Sequence, residues 1–310
     1  MLFYKKNTAA IFLFHRVSPQ RDPMWDPMDP ALFEKCLAYI RKNFTVCTLD
    51  AVIADPTHKG TKPKAAVTFD DGYRDFIDHA LPLLDQYKVP ASMFVTTGCI
   101  DSGQPVWTYI MDSLFYNTKK LSLKTGIELP ALLTQTSWPS AAERIGFGKK
   151  IKQRIKYIPA SERQVVIDCI SNSFNDVQIP GNLMMNWEEI KSIHQNGVQV
   201  GAHSVTHPTM DTLENEEDIQ FELSSGERIR EMTGIEAGIF SYPNGSYDER
   251  VTRLAQQAGY GAALAVNKRP AYKGEDRFAI SRIELYNESW FKTRMRLNGA
   301  ISFIQKSLRS

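Results

Sequence analysis

Lys64-Ala65-Ala66-Val67-Thr68-Phe69-Asp70-Asp71-Gly72 joins a short apolar run to two adjacent carboxylates and a glycine. A run this short, bounded by a turn signal, reads as a buried strand. Asp-Asp-Gly then turns the chain, and Tyr73 to Tyr87 carries apolar residues at helical spacing. A strand feeding a helix through a tight turn is the repeating unit of a parallel sheet. Both carboxylates then fall at the C-terminal end of a strand, where α/β barrels collect their active-site residues. The same residues also suit a solvated turn with an Asp helix cap.

The pattern continues outward. Thr8 to Val17, Ala91 to Thr96, Val198 to Ala202, Ile239 to Tyr242, Tyr260 to Val266 and Phe278 to Leu285 join Lys64 to Phe69 as candidate strands. Candidate helices are Pro30 to Asn43, Tyr73 to Tyr87, Trp187 to Asn196, Glu214 to Thr233 and Tyr247 to Ala258. Gly197, Gly234 and Gly259 each stand just past a helical pattern, the usual left-handed cap. About seven parallel strands with crossover helices predict an α/β barrel. Between Gly98 and Gly181 the rhythm lapses into helical stretches around Tyr109 to Lys119 and Ala141 to Phe174, broken by Pro130, Pro139 and Pro159. We read 1–310 as one barrel with a helical insertion over 99–181, either a substrate-binding lid or an extra layer remote from substrate. Glu288 to Leu308 alternates apolar and basic residues at helical spacing and is expected to pack across the barrel, its basic face solvated.

A length of 310 residues accommodates a barrel of roughly 200–250 residues plus an insertion. Hydrophobic residues at 43% and charged residues at 23% are those of a folded globular chain. A formal net charge of +2 is too small to argue for nucleic acid or an anionic membrane as partner. Cys36, Cys47, Cys99 and Cys169 lie far apart without a CxxC pair, so they read as reduced, mostly buried thiols. The apolar run Ala9 to Phe14 follows Lys5 and Lys6 but ends in His15-Arg16, too short for a secretory signal. No stretch reaches the ~18–20 apolar residues of a membrane span. The expected compartment is the cytoplasm.

His203-Ser204-Val205-Thr206-His207 follows another apolar strand and offers two imidazoles four positions apart, a spacing that can converge on one metal. A turn at His207-Pro208 with a core His203 is the alternative. His58, His79 and His194 have no such company and read as surface or packing residues. Adjacent carboxylates repel unless a cation or proton intervenes, which suits one binding metal while the other takes a proton.

Thr68-Phe69-Asp70-Asp71-Gly72 together with His203 to His207 resembles the polysaccharide deacetylase family, carbohydrate esterases of family 4 that share the NodB homology domain. The resemblance runs from about Ala9 to Leu285 outside the insertion and implies a distorted NodB-like barrel. It implies a hydrolase of carbon–nitrogen bonds other than peptide bonds, removing N-acetyl groups from N-acetylhexosamine-containing poly- or oligosaccharide. Asp71, His203 and His207 would hold a divalent metal, most simply Zn2+, and Asp70 would be the general base. One carboxylate and two imidazoles leave coordination positions open, as at a catalytic zinc. The expected partner is an acetylated carbohydrate. An O-acetyl esterase and a non-catalytic carbohydrate-binding or scaffold barrel are the alternatives, and a scaffold has no use for Asp70.

The family's third motif, Arg-x-Pro-x-Gly, is met only in part by Ser241-Tyr242-Pro243-Asn244-Gly245. Tyr242, Pro243, Asn244 and Gly245 are carried over as a substrate loop, with the Asn244 amide as oxyanion donor. Ser241 stands where the family has the arginine that pairs with the base. Arg282, at the end of the last candidate strand, is the replacement considered, against a surface arginine. The family's C-terminal histidine is absent, and His15 on the first strand resembles the permuted arrangement of bacterial members with this motif at the N-terminus. His15 is therefore the expected general acid, against a buried structural role. Trp107 and Tyr109 are candidates for stacking on a sugar ring, or for the core.

Overall fold

The fold is that of a computed structural model describing residues 2–22, 24–123, 133 and 136–307. Its barrel strands are β1 (Thr8–Phe14), β2 (Lys64–Phe69), β3 (Ala91–Val95), β4 (Gln199–Ala202), β5 (Ile239–Ser241), β6 (Ala262–Ala265), β7 (Ile280–Ser281) and β8 (Ile283–Glu284). They run in the order β8-β1-β2-β3-β4-β5-β6-β7, all neighbours parallel. Thr45–Val46 adds a parallel pairing to β2, and Ala271–Tyr272 an antiparallel one to β1. The result is a nearly closed, mostly parallel NodB-like barrel, as expected from the strand pattern.

The last candidate strand, Phe278 to Leu285, is two strands. Up to Arg282 the backbone faces β6, with the Arg282 N–H donating to Ala265 O at 3.1 Å. Beyond it the chain faces β1, and the Leu285 N–H donates to Leu13 O at 2.9 Å. One residue, Arg282, thus separates the two ends of the strand path and forms the seam of the barrel.

Alternation along the strands carries the architecture into the site, because successive side chains point to opposite faces. Ile11, Ala66, Phe94, Ile239, Leu264 and Ile280 share one buried cluster, which fills the barrel interior. Two or four residues further along the same rows come His15, Thr68 and Asp70, Thr96, Ser241 and Arg282. Gly201, in the same row as His203, sits where a Cβ would come within 2.4 Å of the Phe94 ring. The inward rows are thus apolar below and polar at their C-terminal ends. Residues of opposite parity, among them Phe12, Phe14, Val67, Phe69 and Met93, pack outward in the main core with Phe33, Leu37, Ile190 and Val251 from the helices.

Helical boundaries follow the expected breakers. Pro30–Asn43 is present as read, whereas Glu214 to Thr233 divides at Ser224 into Glu216–Leu223 and Ser225–Thr233. Gly197, Gly234 and Gly259 all adopt positive φ. The C-terminal stretch breaks at Gly299 into Trp290–Leu297 and Ala300–Ser307. In the segment after Gly98, helices α1 (Trp107–Asn117), α2 (Ala141–Ile155) and α3 (Ala160–Ser173) form a second buried cluster around Phe115, Trp138, Ile151, Ile170 and Phe174. Pro159 ends the pattern between α2 and α3. Pro130 and Leu308 lie outside the described residues. Among the described residues no helix is long and apolar enough to cross a membrane.

Candidate active site

Asp70 and Asp71 are both buried, and their partners differ in kind. Asp70 receives a two-pronged ion pair from Arg282, Nη1 to Oδ1 at 2.8 Å and Nη2 to Oδ2 at 2.7 Å. Such fork-to-fork pairs are the strongest of charge-assisted hydrogen bonds. Ser241 Oγ donates to Asp70 Oδ2 at 3.0 Å and accepts from Arg282 Nη2 at 2.7 Å. Arg282 is completely buried, its guanidinium 5.9 Å from the centre of the Phe94 ring. The surface-arginine alternative is therefore excluded. Burial alone would raise the Asp70 pKa, but Arg282 and then His203 outweigh it and leave the carboxyl below its ordinary value.

Asp71 faces imidazoles. Its Oδ1 lies 3.3 Å from Nε2 of His203 and 3.3 Å from Nε2 of His207, yet makes no aligned hydrogen bond although it is buried. His203 Nδ1 donates to Ser241 O at 2.6 Å, which fixes the tautomer and turns the Nε2 lone pair toward Asp71. A buried carboxylate oxygen without an aligned hydrogen bond, flanked by two imidazole nitrogens, is a donor set suited to a cation. One ligand atom from each of Asp71, His203 and His207 lies within 4.8 Å of the others, so the three could hold a metal ion.

The backbone is bent to bring them together. Asp71, Ser204 and His207 adopt φ of 77°, 65° and 59°, the left-handed region that L-residues rarely occupy. The 203–207 loop is tied down on two sides. Glu222, on α4 (Glu216–Leu223), accepts from the backbone N–H of Val205 and of Thr206 at 2.8 Å each, and from the Thr206 hydroxyl. Gly98 passes beneath, its N–H donating to Val205 O at 2.9 Å where a Cβ would sit 2.6 Å from that oxygen. From the α1 side, Trp107 Nε1 donates to His207 O at 2.8 Å.

These residues open onto a cavity of about 530 Å³ that His15, Asn244 and Gly245 also line. His15 is half-buried, edge-on to Trp25 with centroids 5.2 Å apart. Tyr242 and Pro243 are buried away from the cavity, and the Tyr242 hydroxyl donates to Phe278 O at 3.0 Å. Neither Trp107 nor Tyr109 is among the residues that line it. Trp107 is buried with Arg163 over its ring, and the Tyr109 ring is covered by Arg16 at 5.4 Å. Trp25 is the cavity's half-buried tryptophan, and Lys152, Lys156, Glu284 and Tyr286 complete much of its wall. None of these, nor Glu222, carries a local motif. Ser241 reads in sequence only as a missing arginine, although a small hydroxyl residue there leaves room for a guanidinium arriving from another strand.

Trp107→Phe is expected to keep the packing but weaken metal binding by about 2–10-fold, the worth of one hydrogen bond to the His207 carbonyl. Chelator competition measures it, and an unchanged affinity would separate Trp107 from the loop's alignment.

Comparison with known proteins agrees with this geometry. In overall structure the chain is similar to the Streptococcus pyogenes deacetylase PplD, solved in complex with acetate, at a TM-score of 0.61 and 14% identity over 94% of this chain and 99% of that one. It is similar also to IcaB from Ammonifex degensii, at a TM-score of 0.58 and 16% identity over 94% and 97%. At these identities the likeness is one of fold. Among curated proteins, YxkH of Bacillus subtilis (strain 168), named as a polysaccharide deacetylase, shares 23% identity over 99 residues, spanning 32% of this chain and 35% of that one. The polysaccharide deacetylase family model matches residues 57–128 and 173–263, stretches that contain Asp70, Asp71, His203, His207 and Ser241. With more than half its length matched, metal-site segments included, the chain belongs to the polysaccharide deacetylase family.

Proposed function

We propose that the chain removes N-acetyl groups from an N-acetylhexosamine-containing poly- or oligosaccharide. The observation that carries this reading is the contrast between the two carboxylates: Asp70 locked onto Arg282, and Asp71 left without a hydrogen bond between His203 and His207. A pure binding module needs no ionised base beside a metal site.

Asp71, His203 and His207 hold the metal in this reading, and their donor set suits Zn2+. When bound, the ion supplies Lewis acidity, polarising the acetyl carbonyl and acidifying water. Asp70, kept ionised by Arg282, accepts the proton of the attacking water. The Asn244 amide donates to the oxygen on which charge accumulates. His15 donates a proton to the departing amine.

Arg282 stands in for the arginine that Ser241 displaces, and Ser241 completes the bridge between the two charges. The permuted arrangement with His15 at the N-terminus has physical support. β1 pairs with both β2 and β8, with Leu13 beside Thr68 on one side and Glu284 on the other, so His15 lies at the same seam as the chain's last strand. The family match begins only at residue 57, so this assignment rests on the cavity and the strand register. We read 99–181 as an insertion on a single barrel, whose Trp107 braces the metal loop.

Metal analysis of the purified chain followed by acetate release from N-acetylchitooligosaccharides and from acetylated xylan tests the proposal. One equivalent of metal with acetate from the chito-oligosaccharide is expected. Release from xylan alone favours an O-acetyl esterase, which the same base would serve. Bound metal with neither release favours the scaffold.

A further inference from the structure

The cavity over Asp70 and Asp71 has a second wall, and its chemistry is cationic. The C-terminal end of α2 brings Lys152, and the turn after it Lys156, while the barrel brings Lys268 and Glu284. Some of the cavity charges are matched by ion pairs, Asp70 by Arg282 and Asp112 by the buried Lys152. Glu284 accepts from the Tyr286 hydroxyl.

Lys156 differs. It is half-buried, yet among the described residues its side chain has no ion pair and no hydrogen bond. Burial and the neighbouring Lys152 push its pKa down, against weaker pulls from Glu284, Asp112 and Asp71. An ammonium drawn partly out of water without a counterion is held at a cost. Lys268, also without an ion pair among the described residues, sits on a fixed backbone. Its φ is 55°, its N–H donates to Arg282 O at 3.0 Å, and its carbonyl accepts from Ser302 Oγ at 2.7 Å. The loop bearing it is thus anchored to the residue that pairs with Asp70. Lys268 itself is exposed at the cavity's edge, so the demand for a counter-charge comes chiefly from the half-buried Lys156, which the hydroxyls and carbonyl of a neutral acetamido sugar would leave unmet.

We infer that the cavity takes an acetylated sugar that also bears an anionic group, a carboxylate or a phosphate, with Lys156 and Lys268 binding that group while the acetyl reaches Asp70 and Asp71. The acetyl half of this inference rests on the deacetylase reading. The anionic half does not.

Binding and turnover separate the two halves. Calorimetry follows N-acetylglucosamine 1-phosphate, N-acetylmuramic acid and neutral N-acetylglucosamine into the full metal-loaded chain carrying Asp70→Asn. At least one anionic sugar is expected to bind about tenfold or more tighter than the neutral one, equal to ~1.4 kcal/mol. Which of the two gains identifies phosphate or carboxylate. Added Lys156→Gln and Lys268→Gln are expected to abolish the advantage, Lys156→Arg to keep it, and salt to erode it. No advantage for either anion overturns the inference. So does an advantage that survives both glutamine substitutions, since the metal alone then binds the anion. In turnover, Lys156→Gln should lower the ratio of kcat/KM for the anionic over the neutral substrate about tenfold. Absence of acetate release from any sugar alongside lysine-dependent anion binding sinks the deacetylase reading and leaves the anion site standing.

Discussion

Replacing Arg282 with methionine is expected to lower the stability of the chain by about 3–5 kcal/mol, the usual result of stranding one half of a buried ion pair. Arg282 is completely shielded from water, and both of its Nη atoms are engaged with Asp70. Methionine fills much of the volume over Phe94 but leaves the Asp70 carboxylate with Ser241 and a more distant His203, whose Nε2 is 3.8 Å away. The loss should depend on pH in a definite direction. In the native chain the Asp70 pKa lies below that of an unfolded aspartate, so its stabilising contribution is present above about pH 4 and vanishes as pH falls through the depressed value. In the variant, burial dominates and the folded pKa rises above the unfolded one, so ionised Asp70 becomes a cost that grows as pH climbs from about 4. Urea denaturation should thus show wild type and variant close together in acid and far apart near neutrality. A gap independent of pH would mean that Arg282 matters for its packing alone. Asp70→Asn combined with Arg282→Met should recover part of the loss, because removing both charges removes the stranded one.

The second large effect distinguishes the paired carboxylates by what each loses. On the deacetylase reading, Asp70→Asn should reduce kcat by about 10²–10⁴-fold, the range for a lost general base, while metal content stays near wild type. His203→Ala should lose the metal itself, because one of the three converging ligand atoms is removed and the Ser241 carbonyl that oriented it loses its hydrogen bond. Measuring metal content and acetate release on the same preparations decides the matter. Equal metal loss in both variants would mean that Asp70 is a ligand and that the division of labour is wrong.

Much of this arrangement was legible because alternation is a strong constraint. A reader who counts in twos from Ala66 reaches Thr68 and Asp70, and from Ile280 reaches Arg282, so strand ends announce which side chains share an interior. The meeting of His203 and His207 with Asp71 follows from complete local motifs. What the sequence hid is what depends on the tertiary path of side chains. Trp107 and Tyr109 have the composition of a sugar platform, yet Trp107 turns its N–H into the His207 carbonyl and Tyr109 lies against Arg16. Glu222 is 17 positions beyond Val205, and only the return of α4 beneath the loop brings it there. Lys152 and Lys156 read as the basic end of a helix, because nothing local says that α2 ends over the cavity. The final strand reads as continuous because apolar spacing persists through Arg282 and is blind to a change of partner.

That change of partner has a consequence for how the molecule comes into being. Asp70 sits on the second barrel strand to leave the ribosome, and its counter-charge on the last. In the folded barrel the closing segment sits between the first strand and the sixth and carries the guanidinium with it, so the wall of the barrel and the pairing of Asp70 are completed by the same residue. A chain cut short before residue 282 would be left with a gap in its wall and with Asp70 lacking the guanidinium that grips both of its oxygens.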